Sequence, residues 1–155
     1  MAHARRRIPS VDYAALAELR YQIRQFLRKR ETSARAAGVE PQQYLLLLQV
    51  KGLADQPATI GALAERLQIN HHAVVQLINR LAARGMVQRQ RGGNDRRHVV
   101  IVLRPRGETV LRRLALQSVA ELKTEGPALV SSLKRLIRES RRTTRPAPRG
   151  RRRIS

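Results

Sequence analysis

The stretch that decides the fold is TIGALAERLQINHHAVVQLINRLAARGMVQRQ, residues 59–90. Ile60, Leu63, Ala64 and Leu67 recur at three- and four-residue steps, the period of one helix face, and predict a short helix. Asn70 is placed to cap the next segment, in which Val74, Leu77, Ile78 and Leu81 form a single apolar stripe. Gly85 stands just past that stripe, where glycine commonly ends a helix because it tolerates the left-handed conformation. Two short helices with a tight connection make a helix-turn-helix pattern.

The residues after Gly85 sharpen it. MVQRQ (86–90) predicts a short strand, RGGNDRR (91–97) a glycine-bearing loop, and HVVIVL (98–103) a second strand rich in β-branched residues. A helix-turn-helix leading at once into a hairpin predicts a winged helix. The expected class is mainly α with a small β-hairpin wing.

Outward from this centre, residues 1–9 form a basic N-terminal arm. With Ser10 as N-cap, Leu16, Leu19, Ile23 and Phe26/Leu27 predict an amphipathic helix to about residue 36. PQQYLLLLQVKGL, residues 41–53, is apolar on most sides and predicts a helix buried by several neighbours. From Arg106 a helix runs to about Glu125. Gly126-Pro127 is expected to break it before a last helix marked by Leu129, Leu133, Leu136 and Ile137. The expected organisation is one domain over 10–140, with long helices at 10–36 and 106–140 flanking a winged-helix lobe at 40–104. Residues 141–155 carry no apolar periodicity and predict a disordered basic tail.

The 155 residues carry a net charge of +21. Arg5, Arg6 and Arg7 supply +3, and the seven arginines between Arg141 and Arg153 supply +7, which leaves +11 on the part between. Such a field attracts polyanions and speeds encounter with them. Nucleic acid is the expected partner, with an acidic membrane surface or acidic protein as alternatives. With one Phe, three Tyr and no Trp, the chain lacks the stacking platform of single-strand binders, so duplex DNA is favoured. No apolar run approaches the roughly 18 to 20 residues of a membrane span, and the basic N-terminus leads into no export segment. A cytoplasmic, nucleoid-associated protein is expected.

Three stretches together resemble the MarR family of bacterial transcriptional regulators: VEPQQYLLLLQV (39–50), the opening 59–90 segment, and NDRRHVVIVLRPRGETVL (94–111). The last is similar to the family's wing motif, an Asp, a basic residue and an Arg, then an apolar strand ending near a Gly. There are departures: the family often has Thr where Arg104 stands, and Ser or Thr where His72 and Ala73 stand. Operator preference therefore cannot be carried over. The resemblance implies an obligate homodimer built from the first and last helices, with two winged helices reading a near-palindromic site, most often as a repressor. It also implies a pocket for small aromatic or anionic effectors, which Arg20, Tyr21, Arg24 and Tyr44 are placed to line; surface charge and core filling are the equal alternatives.

The candidate contacts fall in two groups. At the wing tip, Arg97 suits a minor groove, whose negative potential and narrow width favour arginine. By resemblance Asp95 holds its guanidinium, and Arg91 and Arg96 meet phosphates; an ordinary solvated turn is the alternative. On the second helix of the pair, His71, His72, Val75, Gln76, Asn79 and Arg80 face away from the apolar stripe. Gln76 can pair with adenine, His72 can meet a base edge, and Val75 can touch a thymine methyl. Arg80 suits a phosphate, as do the backbone N–H groups that Asn70 leaves free. A solvated polar face is the alternative here.

Other chemistries find little support. Cysteine is absent, and adjacent His71 and His72 diverge by about 100 degrees on a helix, so no metal and no cofactor are expected. No nucleophile–His–acid order, phosphate-cradling loop or carboxylate cluster argues for an enzyme. The rival readings are an architectural protein that coats DNA with low sequence preference and a winged-helix protein-interaction scaffold. Binding to random duplex as tight as to a cognate region marks the first; failure to bind any duplex marks the second.

Overall fold

The computed structural model describes residues 11–53, 55–92 and 98–143, with side chains to residue 139. Element order is α1 (Tyr13–Ala36), α2 (Pro41–Gly52), α3 (Ile60–Leu67), α4 (His71–Ala83), β1 (Val87–Arg91), β2 (Val99–Leu103) and α5 (Pro105–Thr143). This is the mainly helical class with a two-stranded hairpin expected from the sequence. The arm at 1–9 and residues 144–155 of the tail lie outside the described residues.

The chain divides into two compact units, one formed by residues 27–121 and the other by the chain up to Phe26 together with the chain from Leu122 onward. In the first, Leu46, Leu47, Leu63, Val74, Ile78 and Leu81 are fully buried with Met86, Val87 and Ile101 from the hairpin. Ala34 of α1 and Leu111 and Leu114 of α5 join the same cluster. α2 is seated in this core by Tyr44, Leu46, Leu47 and Val50, but Leu45 and Leu48 are exposed in the single chain, so its apolar surface is covered on part of its circumference only. Pro41 opens it, where a missing N–H costs nothing, and Gln43 Oε1 accepts the Glu40 N–H at 3.0 Å. Beside this core Arg30 is buried and forms an ion pair with Glu121, while Gln117 Nε2 donates to Ser33 Oγ at 3.0 Å.

Three helices of this unit end alike. At the ends of α1, α3 and α4, the residues Gly38, Gln68 and Gly85 take positive φ angles of 79°, 56° and 68°. In each case the next N–H returns to a carbonyl five residues back: Val39 to Ala34 (3.1 Å), Ile69 to Ala64 (3.2 Å) and Met86 to Leu81 (3.0 Å). This is the Schellman closure, which satisfies carbonyls that a helix end leaves open. Two of the three are marked by glycine; the third, inside the helix-turn-helix connection, is not.

β1 and β2 pair antiparallel from Val87↔Leu103 to Arg91↔Val99. Thr59 adds a bridge to Val100, and the Ile101 N–H donates to the Ala58 carbonyl at 2.9 Å. The residues before α3 thus lie along the hairpin as a minimal third strand.

In the second unit, Ala15 is buried and Leu19, Gln22 and Phe26 are half-buried, as are Leu129, Ser132 and Leu136. Ser132 Oγ donates to Gln22 Oε1 at 3.1 Å. Leu16, Ile23, Val130, Leu133 and Ile137 are exposed in the single chain. The one apolar face expected for α1 therefore divides: Leu19 and Phe26 turn inward, while Leu16, Ile23 and Leu27 remain uncovered.

Two boundaries are corrected. Ser10, the expected cap of α1, lies outside the described residues; the helix begins at Tyr13, and Asp12 Oδ1 accepts the Ala15 N–H at 2.8 Å in the capping position. Nor does Gly126-Pro127 break the last helix, since α5 runs through Pro127 to Thr143. Proline removes one backbone bond and crowds the preceding turn. Yet Leu122 and Leu129, on either side of it, are two helical turns apart and in phase with Leu133 and Leu136. Continuing the helix keeps that whole stripe on one side, whereas a break would turn its second half away.

Candidate nucleic-acid interface

The presented face of α4 is set by its buried one. Val74, Leu77, Ile78 and Leu81 are buried, so at 3.6 residues per turn the remaining positions must project outward. His71, His72, Gln76, Asn79 and Arg80 are exposed, and Val75 is half-buried at the edge of the stripe. The start of the helix is held from both sides. Thr59 caps α3 by accepting the Ala62 N–H at 3.2 Å, and Asn70 Oδ1 caps α4 by accepting the Ala73 N–H at 2.8 Å. The first N–H groups of α4 stay open at the positive end of its dipole.

Between the two helices, Gln68 occupies the left-handed region and its side chain donates to the Glu65 carbonyl at 2.7 Å. Glycine is the usual residue there, so composition gives no warning of the turn. On α4 itself, Gln76 Nε2 lies 3.4 Å from His72 Nε2, one turn away. The two polar side chains among those expected to meet bases are therefore neighbours on one exposed strip.

The hairpin stem is basic. Strand alternation puts Val87, Arg89 and Arg91 on one face; Val87 is buried against the core, and both arginines are exposed. The Gly92 N–H donates to the His98 carbonyl at 2.8 Å and closes the stem. Asp95, Arg96 and Arg97 lie outside the described residues.

A side-chain hydrogen bond joins stem and helix. Arg89 Nη2 donates to Asn79 Oδ1 at 2.6 Å. Periodicity predicts Asn79 on the presented face but does not single out Arg89. A signal for Arg89 lies in the V-Q-R-Q-R alternation, which puts it on the same side as Val87 and therefore toward α4.

Arg20, Tyr21 and Arg24 are exposed on α1, where the Tyr21 hydroxyl accepts from Gln25 Nε2 at 2.6 Å. Tyr44 is buried in the core, its hydroxyl 3.4 Å from Ser118 Oγ. Among the described residues, no three His, Asp or Glu side chains gather as a metal set, and no helix is long and apolar enough to cross a membrane.

The MarR family model matches residues 37–98. By sequence, no curated protein matches the chain. Its fold is similar to AbsC, a MarR family transcriptional regulator from Streptomyces coelicolor, at 20% identity over 77% of this chain and 82% of that one, with a TM-score of 0.65. It is similar to MarR from E. coli at 19% identity, 84% and 97% coverage and a TM-score of 0.62. A variant of S. aureus MepR bound to an oligodeoxyribonucleotide matches at 16% identity, 83% and 97% coverage and a TM-score of 0.61. At such identities the likeness is one of fold.

Proposed function

We propose that this chain, which carries the winged helix-turn-helix of the MarR family, is a homodimeric regulator, acting as a repressor, that binds a specific site on double-stranded DNA. The observation that carries the reading is the presented strip of α4, from His71 to Arg80, lying beside a hairpin stem that carries the exposed side chains of Arg89 and Arg91. Polar groups able to read base edges and cations suited to phosphates stand together in the order a winged helix uses. The net charge of +21 adds affinity that does not depend on sequence. The oligodeoxyribonucleotide on MepR supports the same partner by likeness of fold.

In this reading the first turn of α4 enters the major groove, with Gln76, His72 and Val75 toward bases and Arg80 toward the backbone. Asp95 steadies Arg97 in the minor groove, with Arg91 and Arg96 on phosphates. Leu16, Ile23, Val130, Leu133 and Ile137, exposed in the single chain, support dimerisation through the ends of α1 and α5. Two lobes then meet half-sites about 34 Å apart, one turn of duplex. A small aromatic or anionic effector would release DNA by favouring a lobe spacing that does not fit.

Competition binding with a genomic fragment selected by the protein tests it. Random duplex of equal length should compete poorly, and Arg97→Ala should weaken the specific complex at least about tenfold, the worth of one good groove contact. Equal competition would instead identify a coating protein.

A further inference from the structure

The pair formed by Arg89 and Asn79 restricts what Asn79 can do. An asparagine reads adenine by using its amide at both ends: Oδ1 accepts from the base N6 amino group while Nδ2 donates to N7. Here Oδ1 already accepts from Arg89 at 2.6 Å. That bond takes one of the two Oδ1 lone pairs and orients the amide so that the Nδ2 group, with its two N–H donors, points away from Arg89. A guanidinium has five donors and no acceptor, so Arg89 also keeps N–H groups beyond the one it spends on Asn79. The pair therefore presents donors and one positive charge. A neutral base edge such as guanine can also accept from donors, but the positive charge favours an anion with several acceptors.

Position selects which anion. Asn79 lies about 12 Å along the helix from His71, at 1.5 Å per residue. When the first turn of such a helix is among the bases, residues two turns later rise toward the wall of the groove, where the sugar-phosphate backbone runs. Arg89 approaches that point from β1, on the strand face that also carries Arg91. Resting on the DNA-binding reading above, we propose that Asn79 and Arg89 together form a clamp for a single backbone phosphate, bridging the recognition helix and the wing stem. Asn79 is thus a positioning contact that carries no base preference, and Arg89 is a DNA-contacting residue.

The test uses the full chain, a selected genomic duplex and a random duplex of equal length, with affinity followed across a KCl series. Arg89→Gln lowers affinity about three- to tenfold for both duplexes. It also flattens the slope of log K against log salt by about 0.9 per protomer, the release of one counterion each. Asn79→Ala lowers affinity for both duplexes alike and leaves the slope as it was. Asn79→Asp is the decisive variant. It keeps and strengthens the bond to Arg89, but removes both outward donors and sets a negative charge toward the phosphate, so it binds both duplexes more than about tenfold more weakly. Both side chains are exposed, and unchanged thermal melting verifies that each variant is folded.

If Asn79→Asp binds like the unaltered chain, the pair only braces the wing and the clamp is wrong. An unchanged salt slope in Arg89→Gln, or an Asn79→Ala loss confined to one base-pair position, also overturns it. Absence of duplex binding by the unaltered chain at low salt is a different result: it removes the regulator reading itself, and the clamp with it.

Discussion

The carbonyl oxygen of Met86 occupies the space that a Cβ on Gly107 would need. The same oxygen accepts the Arg104 N–H at 2.9 Å, so the first turn of α5 is seated directly on the backbone that leads from α4 into β1. Gly107 is required here by close approach.

Gly107→Ala should therefore destabilise the protein by about 2 kcal/mol, the ordinary cost of forcing one extra carbon into a packed place that cannot yield. Gly126 in the same helix has nothing within 4 Å of a Cβ, and Gly126→Ala should stabilise by up to about 1 kcal/mol through lower backbone entropy. Urea denaturation at a fixed protomer concentration checks both. Equal and small effects would contradict the packing argument.

Gln68 supplies a second prediction. A residue with a Cβ in the left-handed region carries about 1–2 kcal/mol of strain, and here the side-chain bond to the Glu65 carbonyl offsets part of it. Gln68→Val should lower stability by about 1–2 kcal/mol, since β-branching worsens the strain and deletes the bond. Gln68→Gly should be tolerated. Melting of the two variants side by side gives the comparison.

A third concerns the pair of buried Arg30 and half-buried Glu121, whose side chains are 10% and 28% exposed. Removing one partner leaves the other charge in a partly desolvated place, so Arg30→Met should cost about 2 kcal/mol. Replacing both, with Met at position 30 and Leu at position 121, should recover most of that loss. If the double variant is no better than the single one, the charge pairing is not what stabilises the contact.

The fourth is a pH dependence. The Ala15 N–H, and after it Arg135 at 2.7 Å, hold the Asp12 carboxyl below its ordinary value. A carboxylate with a depressed folded-state pKa contributes stability that is present above its unfolded pKa, about 3.9. That contribution is lost as pH falls through the lower folded value. Asp12→Asn should thus melt below the unaltered chain at pH 6, and the two curves should converge as the pH falls through the lowered folded-state value. A gap that stays constant across that range would exclude the carboxylate charge as its source.

The parts legible in the sequence were those governed by one element at a time. The stripe of Val74, Leu77, Ile78 and Leu81 set the inner face of α4, and Asn70 and Gly85 marked its two ends. Val99 to Leu103 declared a strand by β-branching alone. What escaped depended on a second element. Pro127 breaks a helix by local rule, but the phase shared by Leu122 and Leu129 outweighs it. Leu16 and Leu19 are equally apolar, and only the packing of their unit turns one inward and leaves the other out. Gln68 looks like an ordinary polar residue because left-handed geometry has no strict composition. Arg89 meets Asn79 only once β1 is laid against α4. For the candidate site, the α4 residues could be named from periodicity, whereas their mutual orientation could not.

Thr59 caps α3 and also bridges to Val100, one rung from the loop end of the stem, so the hairpin is tied to the start of α3 along β2. A load on the stem is thereby carried through β2 to the first turn of α3, and from there to the turn that aims α4, so that hairpin and helix shift as one piece.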